Sequence, residues 1–181
     1  RKADTVIIGG GMAGILIGHE LVKRGFDIVI LEAKQIGCGQ TKNTTAKITS
    51  QHSLCYDKLI KRFGEEKAYQ YAHANELAIK SYEHIINANK IDCDFERLPS
   101  YLYSQTSTQC LERELVSAEK LSLPASFQTD LPLPFKTVGA IKFDNQAQFH
   151  PLKFLYSLAE DLPIYENTPV HTVEGQKVFT E

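Results

Sequence analysis

The sequence predicts an α/β fold in which a parallel β-α-β unit is interrupted by an α+β insertion and resumed near the C-terminus. Three observations predict it. The apolar run Val6-Ile7-Ile8 leads into three glycines, Gly9 to Gly11, which open an amphipathic helical pattern. A second apolar run, Ile28-Val29-Ile30-Leu31, follows at once and ends on Glu32. Continuous apolar runs suit parallel strands covered on both faces. Beyond Glu32 the regular rhythm breaks, and long helical stretches take its place.

The elements follow in order. The first strand is Thr5 to Ile8. A helix from Met12 to Arg24 carries Ala13, Leu16, Ile17 and Leu21 at helical spacing. Lys23 and Arg24 suit the negative end of its dipole, and Gly25 suits the residue just past its end. The second strand is Phe26 to Glu32, completing a right-handed crossover. Residues Gln35 to Thr49, rich in Gly and Thr, read as an irregular loop passing into a helix near Thr44. Helices follow from Leu54 to Phe63 and from Glu65 to Asn89, separated by Gly64. Asp94 to Ser104 reads as a strand. Ser107 to Leu121 reads as a helix opened by Thr or Ser caps. The stretch with Pro124, Pro132 and Pro134 reads mostly as loop, and Val138 to Phe143 as a strand. Pro151 opens a helix running to Glu160. Short strands close the chain at Ile164 to Glu166, Val170 to Val173 and Lys177 to Phe179, with a turn at Glu174-Gly175.

This pattern divides the 181 residues into an N-terminal nucleotide-binding part (1–50), a helical and α+β region (51–148) and a return to the first part (149–181). The chain starts Arg1-Lys2 and stops inside a strand-like pattern. The expectation is therefore an incomplete piece of a longer protein, whose exposed surface invites dimerisation.

Composition excludes several function classes. Twenty Lys+Arg against 22 Asp+Glu leave a net charge of −2, which argues against a nucleic-acid surface. No apolar run approaches the roughly 20 residues of a membrane span. Cys38, Cys55, Cys93 and Cys110 form no CxxC or CxH pair, so no metal site is expected. Four cysteines in a chain of this length fit reduced thiols and a cytoplasmic location.

Chemistry is concentrated in Gly9-Gly10-Gly11-Met12-Ala13-Gly14, a GxGxxG motif between a strand and a helix. Glu32 lies 18 residues past Gly14, at the end of the second strand. That context is the dinucleotide fingerprint of a Rossmann-like FAD/NAD(P)-binding unit. Gly9 permits the tight turn, Gly11 lets a pyrophosphate approach the backbone, and Gly14 lets helix and strand pack closely. The helix N-terminus, through Met12 and Ala13, offers N–H groups to phosphate. Glu32, followed by Ala33, would accept both hydroxyls of an adenosine ribose and repel a 2′-phosphate. An NAD-dependent dehydrogenase would continue with a second regular β-α-β half. The Gly/Thr loop and long helices favour FAD instead. A nucleotide-binding module without redox activity and an NAD-dependent dehydrogenase remain the alternatives.

With these motifs the chain resembles the FAD-dependent oxidoreductases of the D-amino-acid oxidase and glycine oxidase (DAO) family. The resemblance also takes in Gln148-Phe149-His150-Pro151 and Tyr165-Glu166-Asn167-Thr168-Pro169-Val170. The segment from Gly37 to His52 resembles a bacterial subgroup whose oxidoreductase domain is followed by a C-terminal Rieske domain. The resemblance implies FAD as cofactor and hydride transfer from a small amine, amino acid or hydroxy compound to flavin N5. It implies that Thr41, Thr44, Thr45, Ala46 and Lys47 approach the pyrophosphate and flavin, and that Val170 sets its backbone against the adenine. A Rieske [2Fe-2S] cluster would lie in a domain outside this chain. In such proteins the C-terminal half supplies the rest of the FAD domain and most substrate contacts.

For several residues two readings stay open. Thr44 and Thr45 could instead cap a helix, and Lys47 could be a solvated charge. His52 could approach the flavin or be structural. His150 better fits the stabilisation of a bend. Tyr101 and Tyr103 share one strand face and either line a pocket or pack in the sheet. No catalytic acid or base is assigned.

Overall fold

The computed structural model describes residues 1–180. The elements run β1 (Thr5–Ile8), α1 (Met12–Lys23), β2 (Ile28–Leu31), a 3-10 turn (Gln40–Asn43), β3 (Lys47–Ile48), α2 (Tyr56–Phe63) and α3 (Glu65–Ala88). They continue with β4 (Glu96–Ser104), α4 (Gln109–Lys120), β5 (Ala125–Gln128), β6 (Gly139–Gln148), α5 (Pro151–Ala159), β7 (Ile164–Tyr165), β8 (Val170–Glu174) and β9 (Lys177–Thr180). Two compact units result. The first takes Arg1–Ala46, Lys90–Cys93 and the stretch from His150 onward; the second takes Lys47–Asn89 and Asp94–Phe149.

The first unit is built on a parallel sheet of order β1-β2-β7, with Ile7 opposite Ile30 and Leu31 opposite Tyr165. Ile28 and Ile30 are fully buried beneath α1. A Cβ at Gly18 would lie 2.8 Å from Ile30 Cδ1, so glycine there sets how closely α1 approaches β2. Helix α5 adds Phe154, Leu155 and Leu158 to the buried set. Its start is fixed by His150, whose Nδ1 accepts from the Lys153 N–H at 3.2 Å and whose own N–H donates to the Cys93 carbonyl at 2.6 Å. His150 is thus the helix cap that the Pro151 step needs. Strands β8 and β9 form a hairpin turned at Gly175, which has φ +57°.

The second unit is an antiparallel sheet under helices. Strand β6 is central: β4 runs along one edge, and β5 and β3 share the other. One sheet face, through Ile141 and Phe143, packs on Tyr56, Ala68, Ala72, Leu111 and Leu121. Tyr56 stacks on Phe143 with centroids 6.3 Å apart and donates its hydroxyl to the Ser50 carbonyl. Gly64, at φ +83°, separates α2 from α3.

Several expected boundaries move. No helix begins near Thr44. The chain makes a 3-10 turn, Thr44 is extended, Ala46 takes φ +62°, and Lys47–Ile48 pair with Gln148 and Ala147 of β6. Tertiary strand pairing overrides a weak local helix signal there. The second strand is shorter than the expected Phe26 to Glu32, because only Ile28–Leu31 meet β1. The proline-rich stretch contains β5, and β6 continues past Phe143 to Gln148. Of the Thr or Ser caps expected for α4, Thr108 makes no side-chain cap and Ser107 Oγ accepts from the Gln109 N–H at 3.3 Å. Among the described residues, no helix is long and apolar enough to cross a membrane.

Candidate functional site

The glycine turn joins β1 to α1 in the first unit. Gly9 has φ +108°, a conformation that favours glycine, and donates its N–H to the Leu31 carbonyl at 2.8 Å. A Cβ at Gly14 would sit 2.0 Å from the Gly9 carbonyl oxygen, so helix and turn could not close with any side chain there. Gly11 differs from both. Its φ of −84° suits any residue, and a Cβ would meet only Thr41 Oγ1, at an ordinary 3.5 Å. Neither backbone conformation nor packing among the described residues requires glycine at position 11.

Around Gly11 the structure gathers the polar groups of the motif. The Met12 N–H, in the first turn of α1, donates to Thr41 Oγ1 at 3.1 Å. Ala13 is exposed beside it. Glu32 is held from several sides. Its Oε2 accepts from the Gly10 N–H at 2.7 Å and its Oε1 from the Lys34 N–H at 2.9 Å. Its own N–H donates to the Tyr165 carbonyl, and its carbonyl accepts from the Thr168 N–H, both at 2.9 Å. Each carboxylate oxygen therefore keeps lone-pair capacity for a further donor. Ala33 is exposed next to it. The loop that precedes Val170 is tied to the same corner. Asn167 N–H donates to the Lys34 carbonyl at 2.8 Å, and Glu166 Oε1 accepts from the Ile36 N–H, also at 2.8 Å.

The structure thus brings Gly9, Gly11, Met12, Ala13, Gly14, Glu32, Ala33 and Thr41 to one corner, with Val170 two residues beyond Thr168. Thr44 and Thr45 are exposed in the chain after the 3-10 turn, followed by Ala46. Lys47 belongs to the second unit. Two contributors had no site role assigned from the sequence. Gly10 supplies the N–H that fixes Glu32, and a Cβ there would press on Ile36 Cγ2 at 2.7 Å. Glu166 anchors the loop after the second strand from 130 residues away.

The second unit has a concavity of its own, of about 370 Å³. Tyr101 and Tyr103 line it, on the sheet face opposite to Leu102 and Ile141. Leu131 and Leu133, from the proline loop, form a facing wall, and the Phe135 ring lies 5.4 Å from that of Tyr103. Gln146, 2% exposed, forms part of the floor. Its Oε1 accepts from Thr49 Oγ1 (2.8 Å) and the Ser50 N–H (2.7 Å), and its amide donates to the Asp144 carbonyl (2.9 Å). Lys47 also lines the concavity. His52 is exposed, with Nδ1 3.0 Å from the Tyr71 hydroxyl. Among the described residues no cluster of His, Cys, Asp or Glu could hold a metal.

A strand–glycine turn–helix with a carboxylate at the end of the next strand, joined to an antiparallel sheet unit, defines a dinucleotide-binding α/β protein. The family model for FAD dependent oxidoreductases (DAO) matches residues 4–181, and the chain belongs to that family. It is 40% identical over 174 residues to the "Putative Rieske 2Fe-2S iron-sulfur protein YhfW" of Bacillus subtilis (strain 168), covering 92% of this chain and 34% of that protein. In structure it is similar to glycine oxidase from Geobacillus kaustophilus, with a TM-score of 0.77 at 19% identity, over 98% of this chain and 51% of that one. It is also similar to the L-alpha-glycerophosphate oxidase of Mycoplasma pneumoniae solved with FAD bound. There the TM-score is 0.75 at 15% identity, over 99% of this chain and 50% of that one. The chain therefore spans about a third of the curated relative and about half of each oxidase.

Proposed function

We infer that the first unit binds the ADP part of FAD, and that the whole protein oxidises a small amine, amino acid or hydroxy compound. Gly11 carries this reading. It is a glycine that the protein's own conformation and packing do not require, set at a helix N-terminus where a pyrophosphate would need close approach to the backbone. The fit extends to its neighbours. Thr41 and the first-turn N–H groups of α1 suit phosphate oxygens, and the two oxygens of Glu32 suit the two ribose hydroxyls. Thr44, Thr45 and Ala46 would continue along the cofactor, and the Val170 backbone would meet the adenine. Lys47 would supply positive charge.

Bound FAD supplies the acceptor for a substrate hydride at flavin N5; the protein binds, orients and excludes water. Electrons would leave through a Rieske cluster in a separate domain, a reading supported by the name of the 40% identical relative. The free thiols of Cys38, Cys55 and Cys110 suit a reducing, cytoplasmic setting.

Flavin fluorescence titration tests the reading, on this chain and on a longer one extending past Glu181. Saturable FAD binding is expected in at least the longer chain. Gly11→Ala should abolish it while the unfolding temperature stays near that of the wild type. Glu32→Gln should weaken it about tenfold through lost charge-assisted hydrogen bonds. Absence of binding in both chains, or undiminished binding by Gly11→Ala, refutes the reading. Binding of NAD in preference to FAD transfers the site to the nicotinamide class.

A further inference from the structure

We propose that Glu166 is a positioning residue for Glu32, acting on its carboxylate through Ile36 and Gly10. The proposal deepens the FAD reading above and rests on it. Glu166 is the first residue after β7, which pairs with β2 at Leu31 and Tyr165. The turn that follows fixes its backbone. Asn167 takes φ +51°, which asparagine tolerates better than most residues, and Thr168 Oγ1 donates to the Glu166 carbonyl at 2.9 Å. The side chain then reaches across to the segment that leaves β2. Among the described residues, three hydrogen bonds hold residues 33–37 from outside residues 32–42. The Asn167 N–H donates to the Lys34 carbonyl at 2.8 Å, and the Gly37 N–H to the Gly10 carbonyl at 3.1 Å. Both run from main chain to main chain. The third runs from the Ile36 N–H to Glu166 Oε1 at 2.8 Å, and it alone depends on a side chain.

That bond sets where the Ile36 side chain lies. A Cβ on Gly10 would sit 2.7 Å from Ile36 Cγ2 and 3.2 Å from Glu32 Cβ, so Ile36 and Glu32 bear on the same glycine. Gly10 in turn gives its N–H to Glu32 Oε2 at 2.7 Å. Glu166 therefore reaches the Glu32 carboxylate in two steps, from the Ile36 amide to the Ile36 side chain and from there through Gly10. Without Glu166, Ile36 is free to move off Gly10, and the backing that keeps Gly10 against Glu32 goes with it. A binding group is only as well aimed as the residues that hold it. Glu166 itself is exposed, so its removal leaves no buried cavity, and the main-chain bonds of Glu32 to Tyr165 and Thr168 do not depend on it.

The test uses the longer chain that extends past Glu181. Amide hydrogen exchange is read without cofactor, and FAD affinity is read by flavin fluorescence. Glu166→Ala should speed exchange at both Ile36 and Gly10 about fivefold, the scale of one lost hydrogen bond. Exchange at Gly9, whose N–H is held by the Leu31 carbonyl, should not change. The same variant should bind FAD about fivefold more weakly, with an unfolding temperature close to that of the wild type. Glu166→Gln keeps an acceptor oxygen for the Ile36 N–H and should restore both exchange and affinity. Unchanged exchange at Ile36 in Glu166→Ala overturns the clamp. Faster exchange at Ile36 with Gly10 unmoved overturns the relay to Glu32. Unchanged FAD affinity in Glu166→Ala, or an equal loss in Glu166→Gln, overturns the positioning role. Failure of the wild-type chain to bind FAD overturns the flavin reading and the positioning role with it, a result that the wild-type titration gives before any variant is made.

Discussion

Removing the Glu114 carboxylate should unfold the second unit far more readily than its distance from any glycine motif suggests. Helix α2 begins at Cys55, which offers no side-chain cap. Its orphan N–H groups are met from α4 instead. Glu114 Oε1 accepts from the N–H groups of Cys55 and Tyr56, each at 2.7 Å, and Oε2 accepts from that of Asp57 at 3.0 Å. The side chain is 1% exposed, so water cannot replace it. Glu114→Ala leaves a cavity and three unpaired donors, which argues for a loss of about 3–5 kcal/mol, the usual scale for breaking a buried charged interaction. For a chain of this size that is on the order of 10 °C in unfolding temperature. Glu114→Gln keeps one acceptor oxygen for Cys55 and Tyr56 but turns an amide N–H2 toward Asp57. Its loss should be about 1–3 kcal/mol. The assay is urea and thermal unfolding by circular dichroism, with hydrogen exchange at the three amides. If the alanine variant melts within a degree or two of the wild type, or the two variants lose equal stability, the remote-cap argument is wrong.

Further outcomes follow from the same geometry. Burial first, and the Glu114 charge second, push the Cys55 thiol up to about 11. Because the folded value is raised, the associated stability is fully present below the ordinary thiol value and is lost as pH climbs through about 11. Cys55→Ala should flatten stability across that alkaline window, as a pH series of urea midpoints would read, and a profile unchanged in shape refutes the assignment. Exposed Cys110 should react with a thiol reagent well before Cys55 at pH 8, and the reverse order counts against the burial argument. Gly14→Ala should destabilise the first unit itself, since its Cβ would sit 2.0 Å from a backbone oxygen; a wild-type melt would show that the turn relaxes. Thr41→Val should cost about 1 kcal/mol by unpairing the Met12 N–H, with Thr41→Ser restoring it; equal melts for the two variants would deny Thr41 that role.

The β-α-β unit was legible because its signals are local. Apolar runs mark β1 and β2, and Gly9 and Gly14 answer to a dihedral and a clash within a few residues of chain. What was not legible depends on partners far away in sequence. The Gly/Thr segment looked like a helix start at Thr44, but β6, about 100 residues on, draws Lys47–Ile48 into a sheet. Strand β5 was hidden in a proline-rich stretch because its pairing with Ala140 to Phe143 leaves no local periodicity. Tyr101 and Tyr103 could be placed on one strand face from alternation alone. That they line a concavity depended on the loop carrying Leu131 and Leu133, whose course no pattern specified.

The N-termini of α1 and α2 show why a glycine motif points to a ligand while most helix starts do not. Both α1 and α2 present orphan N–H groups and the positive end of a dipole, and both have a carboxylate nearby. At α2 the carboxylate of Glu114 takes three N–H groups itself, in a buried setting. That site is closed by the protein, and no anion could enter without expelling Glu114. At α1 the carboxylate of Glu32 stands one residue earlier, on the Gly10 N–H. Of the first-turn N–H groups, Met12's alone meets a side-chain acceptor among the described residues, the neutral Thr41 hydroxyl. Glycine at position 11 keeps the approach free of a side chain that the fold itself would tolerate. The same electrostatics thus yields a structural cap in one place and, on the proposed reading, a seat for phosphate in the other. The difference lies in where the protein sets its own negative charge.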